Sequence, residues 1–116
     1  MKKIILIMFI LSFLGLSANA QKFNELNNLQ RYEKENAELL KPAKGEKRVV
    51  FIGNSITEGW VNQRPDFFKD NNYIGRGISG QTSPQLLSRF RQDVINLKPV
   101  AVVINIGTND IAENTG

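Results

Sequence analysis

The chain contains no cysteine and no histidine among its 116 residues. Without cysteine there is no disulfide framework, no thiolate metal site and no cysteine to carry a lipid anchor. Without histidine the side chain that most often acts as a general base near neutral pH is missing. No internal repeat or low-complexity tract is present. The one long apolar run, Ile4 to Leu16, is broken by Ser12 and Gly15. A membrane-spanning helix needs roughly twenty apolar residues, and this run falls short. Charge of one sign is lacking too. Lys and Arg total 15 against 11 Asp and Glu, for a net charge of +4. Two of the basic residues are Lys2 and Lys3, and the rest are scattered among acids, which excludes a nucleic-acid footprint.

The start has its own logic. Lys2-Lys3, the apolar run, and the small-residue end Ala18-Asn19-Ala20 follow the order of a secretory signal peptide. Cleavage is expected between Ala20 and Gln21, giving an exported periplasmic or secreted protein with no membrane span after cleavage. The expected organisation is residues 1–20 as signal peptide, 21–46 as leading helix and linker, and 47–116 as an α/β unit.

The leading helix is expected over residues 23–41. Phe23, Leu26, Leu29 and Tyr32 recur at threes, and Pro42-Ala43-Lys44-Gly45 ends the pattern. The pattern then changes. Val49 to Ile52, Tyr73-Ile74 and Val100 to Ile106 are short β-rich runs, the first and third continuously apolar. Such continuity suits parallel strands covered on both faces. A helix is expected from Pro84 to Leu97, with Ser83 as N-cap and an apolar stripe of Leu86, Leu87, Phe90, Val94 and Leu97. Residues 65–70 form a shorter helical candidate. The sum is β-α-β-α-β, half of a doubly wound sheet, with strand order 2-1-3.

Each strand ends in a polar turn: Gly53-Asn54-Ser55, Gly77-Ile78-Ser79-Gly80 and Gly107-Thr108-Asn109-Asp110. Ligands of open parallel sheets bind beyond the carboxyl ends of the strands, near the switch in strand order. With the first strand central, these turns meet around Ser55. A serine where a strand hands over to a helix exposes its hydroxyl beside backbone N–H groups. Gly80 lets backbone approach a substrate closely, and Asn109 offers an amide N–H. The three together suit the oxyanion of an acyl-transfer intermediate. Singly, each has a plainer explanation: Ser55 as a helix N-cap, Gly80 and Asn109-Asp110 as ordinary turn residues.

The string VVFIGNSITEGW resembles block I of the SGNH/GDSL hydrolases. GRGISGQTSPQLLSRF resembles block II, and VVINIGTNDI block III. The resemblance runs from about Lys47 to Asn114 in family order. It implies a flavodoxin-like three-layer α/β/α sheet. It implies Ser55 as nucleophile, and an oxyanion hole from the Ser55 and Gly80 N–H groups and the Asn109 amide. It implies an ester substrate on a small molecule or carbohydrate, and no metal or cofactor. Two departures stand out. Asn54 replaces the family's usual Asp. The family's Asp-x-x-His is absent, so the expectation is that only the N-terminal part of the domain is represented and that this chain alone is inactive.

Other readings fit less well. Gly75-Arg76-Gly77-Ile78-Ser79-Gly80 matches G-x-G-x-x-G, but it follows the second strand rather than the first, and the expected acid is misplaced. Thr57 breaks the G-x-S-x-G elbow. A non-catalytic carbohydrate-binding module of the same fold would use Trp60 as a stacking platform, against the plainer alternative that Trp60 packs in the core.

Overall fold

A computed structural model describes residues 16–112. Helix α1 occupies residues 16–27, and turns at 28–32 lead into α2 (Glu33–Glu38). Then come β1 (Val49–Gly53), α3 (Ser55–Gln63), α4 (Pro65–Asp70), β2 (Tyr73–Gly77), α5 (Ser83–Asp93), a 3-10 turn at Ile95–Leu97, β3 (Ala101–Asn105) and α6 (Thr108–Ile111). The three strands are parallel, in the order β2-β1-β3. Val49 lies level with both Tyr73 and Ala101, and Gly53 with both Gly77 and Asn105.

The central strand owes its place to its side chains. Val50 and Ile52 are fully buried on one face, against Leu86, Val94 and Leu97. Burying side chains of this size contributes about 1.5–3 kcal/mol each. Phe51 points the other way. Its ring lies 5.4 Å from that of Trp60, 5.2 Å from Phe68 and 5.0 Å from Tyr73. Helices therefore sandwich β1, which makes three layers. On the Phe51 face, Gly77 lets α3 lie flush on the sheet: a Cβ there would come within 2.2 Å of the Glu58 backbone nitrogen.

Four details differ from the sequence expectation. The leading helix is not continuous. Asn28 takes a positive φ of 55° and breaks it into α1 and α2, and Phe23 and Leu26 stay exposed. The N-cap of α5 is Thr82, not Ser83; Thr82 and Gln85 form a reciprocal capping box, with the Gln85 side-chain Oε1 accepting from the Thr82 backbone N–H at 3.0 Å. Leu87 is 72% exposed and does not belong to the buried stripe. Strand β3 is exposed along its whole length instead of covered on both faces, because α3 and α4 lie over β1 and β2 and, among the described residues, β3 pairs only with β1. Residues 1–15 of the expected signal peptide lie outside the described residues. Among the described residues no helix is long and apolar enough to cross a membrane.

Candidate active site

The turns after β1, β2 and β3 are stitched together by backbone and side-chain bonds. The Asn54 N–H donates to the Asn105 carbonyl at 3.3 Å, and the Ile78 N–H to the Gly53 carbonyl at 3.0 Å. These tie the first turn to its neighbours on both sides. Glu58, in the first turn of α3, accepts from the Ser79 backbone N–H at 3.0 Å and from the Ser79 hydroxyl. The Asp110 carboxylate accepts from the Ser83 N–H at 3.0 and 3.1 Å. It is thereby fixed at the start of α5.

Asn54 settles what Ser55 does not do. Asn54 is the N-cap of α3, and its side-chain oxygen accepts from the Ile56 N–H at 3.1 Å. Ser55 is the first residue of the helix and is exposed. Its hydroxyl makes no side-chain hydrogen bond among the described residues. A helix N-terminus directs unsatisfied N–H groups outward, where negative charge is favoured. The Asn-for-Asp departure thus keeps the one function that the position visibly performs here, accepting a backbone hydrogen bond.

Gly80 sits exposed with φ of 77°, in the left-handed region that suits glycine. Asn109 is half-buried in α6, and its Nδ2 donates to the Gln81 carbonyl at 2.9 Å. All three sequence-predicted residues therefore belong to turns joined at the carboxyl end of the sheet. Trp60 is half-exposed and packs with Phe51, Phe67 and Phe68, with Phe67 stacked against it at 16°. Among the described residues no group of three or more Asp, Glu, His or Cys side chains could hold a metal ion. Glu113, a second carboxylate near Asn109 in sequence, lies outside the described residues.

The site also rests on a buried polar layer that the sequence did not announce. Arg89 is fully buried and pairs with buried Asp93 at 2.9 Å. Its Nε donates to the Gln81 side chain at 2.6 Å, and a terminal nitrogen to the Gly53 carbonyl at 3.2 Å. Burial pulls the guanidinium below the ordinary arginine pKa, and the hydrogen-bonded Asp93 opposes that pull. Arg89 and Asp93 fall within the helical stripe of Leu86, Phe90, Val94 and Leu97. A charged pair four apart inside an apolar face was the available signal.

A parallel α/β sheet with an exposed serine opening the helix after its central strand is an architecture suited to hydrolases. The chain belongs to the GDSL-like lipase/acylhydrolase family, whose model matches residues 51–116. It is 76% identical to a Bacteroides fragilis structure assigned as an acylhydrolase, with a TM-score of 0.76 over 78% of this chain and 43% of that one. It is 71% identical to a GDSL-like lipase from Bacteroides thetaiotaomicron, with a TM-score of 0.75 over 78% of this chain and 44% of that one. A lipoprotein of Bacillus subtilis is 34% identical over 83 residues, which is 60% of this chain and 34% of the relative. The chain thus spans less than half the length of these relatives.

Proposed function

We propose that this chain carries the nucleophile and oxyanion half of a serine ester hydrolase. The observation that carries the reading is that Ser55 is exposed at the start of α3, directly after Gly53 and Asn54, to which the turns from β2 and β3 are bonded. The Ser55 hydroxyl attacks the ester carbonyl carbon and gives its proton to a base. The carbonyl oxygen becomes an oxyanion, held by the N–H groups of Ser55 and Gly80 and by the Asn109 amide. The intermediate collapses, the alcohol leaves with a proton, and an acyl-enzyme on Ser55 remains. Water then hydrolyses it, releasing the acid and restoring the serine.

A serine hydroxyl needs an adjacent base to be an effective nucleophile near neutral pH. The chain has no histidine, and the nearest described carboxylate in sequence to Asn109, that of Asp110, is bonded to the start of α5. The base is therefore proposed to come from outside these residues, in the Asp-x-x-His segment of the resemblance. The substrate is proposed as an O-acyl ester, with O-acetylated carbohydrate as the class that an exported enzyme would meet. Export itself is proposed from the Lys2-Lys3 to Ala20 pattern, in line with the lipoprotein naming of the Bacillus relative. N-terminal sequencing of exported material is expected to begin at Gln21, and an intact Met1 would refute this.

The test uses two chains. One is the 116 residues alone. The other is the same residues extended by the C-terminal part of the Bacteroides fragilis relative. On p-nitrophenyl acetate the first is expected to stay near background, since losing the base costs a serine hydrolase on the order of 10⁴ to 10⁶ in kcat. The extended chain is expected to turn over, and its Ser55→Ala variant to be inactive. Full activity in that variant would overturn the assignment of Ser55. Robust Ser55-dependent turnover by the 116 residues alone would overturn the external base.

A further inference from the structure

Gln81 occupies a position that neither the family assignment nor the proposed chemistry uses. It is buried, one residue after Gly80, at the junction of three segments. Its side-chain oxygen accepts from the Nε of buried Arg89 at 2.6 Å. Its side-chain nitrogen donates to the Asn27 carbonyl at the end of α1, at 2.9 Å. With both ends of the amide engaged, the residue cannot rotate without breaking a buried bond, and an orphaned buried polar group costs about 1–3 kcal/mol. The backbone carbonyl of this clamped residue is the acceptor for the Asn109 Nδ2 at 2.9 Å. A carboxamide is planar and hangs from its own Cβ–Cγ bond, so holding one of its N–H groups on an acceptor restricts the rotation of the whole group. Arg89 meanwhile donates to the Gly53 carbonyl, two residues before Ser55. One guanidinium therefore braces the Ser55 turn directly and the Asn109 amide through Gln81.

We propose that Gln81 is a positioning residue, which aims the Asn109 amide at the oxyanion site while Arg89 holds it in register with the Ser55 turn. This rests on the acyl-transfer reading above. The leading segment thereby becomes part of the active-site support, because the Asn27 carbonyl is one jaw of the clamp. Asp93 and Asn36 complete the bracing. Asn36 donates to Asp93 at 2.6 Å and accepts from the Arg76 Nε at 2.8 Å. Small errors in the placing of a catalytic group, of order 1 Å, can cost about 10²-fold in rate.

The test is made in the extended chain, with rates expressed per active site titrated by the acyl-enzyme burst. Gln81→Met removes both side-chain bonds. Gln81→Glu keeps the acceptor for Arg89 and removes the donor to Asn27, so it remains usable if Gln81→Met does not fold. Both are expected to lower kcat per titrated site, by about 10- to 100-fold for whichever folds with the larger disturbance, with KM within about twofold. In an Asn109→Ala background the same substitutions are expected to cost little more, because Gln81 acts through Asn109. Unchanged kcat per site with a lower melting temperature would make the clamp purely structural and overturn the proposal. A loss of equal size in the Asn109→Ala background would overturn it as well. If the unsubstituted extended chain showed no Ser55-dependent turnover, the acyl-transfer reading would fall first, and this proposal with it.

Discussion

Asn54 caps α3 with its side chain, and Ser55 follows it with an exposed hydroxyl. The division matters because serine is itself a favoured N-cap, and a capping serine turns its oxygen toward its own helix. Asn54→Ala is expected to lower stability by about 1 kcal/mol, read from urea unfolding of the extended chain, whereas Asn54→Asp keeps the acceptor. Asn109 is expected to act on rate rather than fold. Removal of one oxyanion donor costs roughly 3 kcal/mol in characterised serine hydrolases, so under the proposed role Asn109→Ala in the extended chain should lose about 10²-fold in kcat with little change in KM. A change confined to KM would overturn the oxyanion role proposed for Asn109. Gly80→Ala keeps the backbone N–H and tests the conformation that presents it. Nothing lies within 4 Å of the added Cβ, but the backbone φ of 77° is unfavourable for it. A loss of about 1–2 kcal/mol in stability is expected from that conformation.

At the scale of elements, the leading segment is bound to the sheet layer by hydrogen bonds that run from distant side chains to its carbonyls. Gln85 donates to Leu26 at 3.1 Å, and Gln92 to Leu29. From the other side, the Tyr32 hydroxyl donates to the Gly77 carbonyl at the end of β2. Burial raises the Tyr32 phenol above its ordinary value of 10.0, while the nearby Arg31 guanidinium lowers it. The fold therefore favours the neutral phenol. Its stabilisation is complete below about pH 10 and is lost as pH rises through the raised folded value. Tyr32→Phe is expected to cost about 1–3 kcal/mol at neutral pH by stranding the Gly77 carbonyl, and the gap from the unsubstituted chain should narrow above pH 10. A gap that stayed constant from about pH 8 to pH 11 would exclude this linkage.

The same segment shows where sequence reading stopped. The threefold recurrence of Phe23, Leu26, Leu29 and Tyr32 runs straight across Asn28, where the helix in fact breaks. The carbonyls around that break are taken by Gln81, Gln85 and Gln92, and no local pattern announces partners so far along the chain. The strands were legible because β1 is continuously apolar and each run ends in glycine and polar residues. Ser55, Gly80 and Asn109 were singled out for the same reason, as residues of the turns that follow those ends. Gln81, Arg89 and Asp93 were not, because a buried polar side chain declares its role only through the group it meets.

At the scale of the whole molecule, the three strands are unequally covered. Helices cover β1, whereas β3 leaves Val102, Val103 and Ile104 at 36–55% exposure. A bare apolar strand whose outer edge is unpaired among the described residues is a template for association. The 116 residues alone are expected to self-associate, seen as a sedimentation coefficient that rises with concentration. Val103→Lys should reduce that association by placing a charge on the strand. A monomeric chain with a sharp cooperative melt would show that the edge is protected.

The sheet order has a consequence in time. β1 is first in the chain and central in space, so it is made before either of its neighbours. Val49 waits for Tyr73 and then for Ala101 before its ladder is complete on both sides. At a synthesis rate of about 5–20 residues per second, the wait from Tyr73 to Ala101 lasts roughly 1–6 s. Through that interval the nascent chain carries its most apolar strand with one flank bare. The Ser55 turn is therefore synthesised early, and the β3 turn bonded to it through Asn105 comes later.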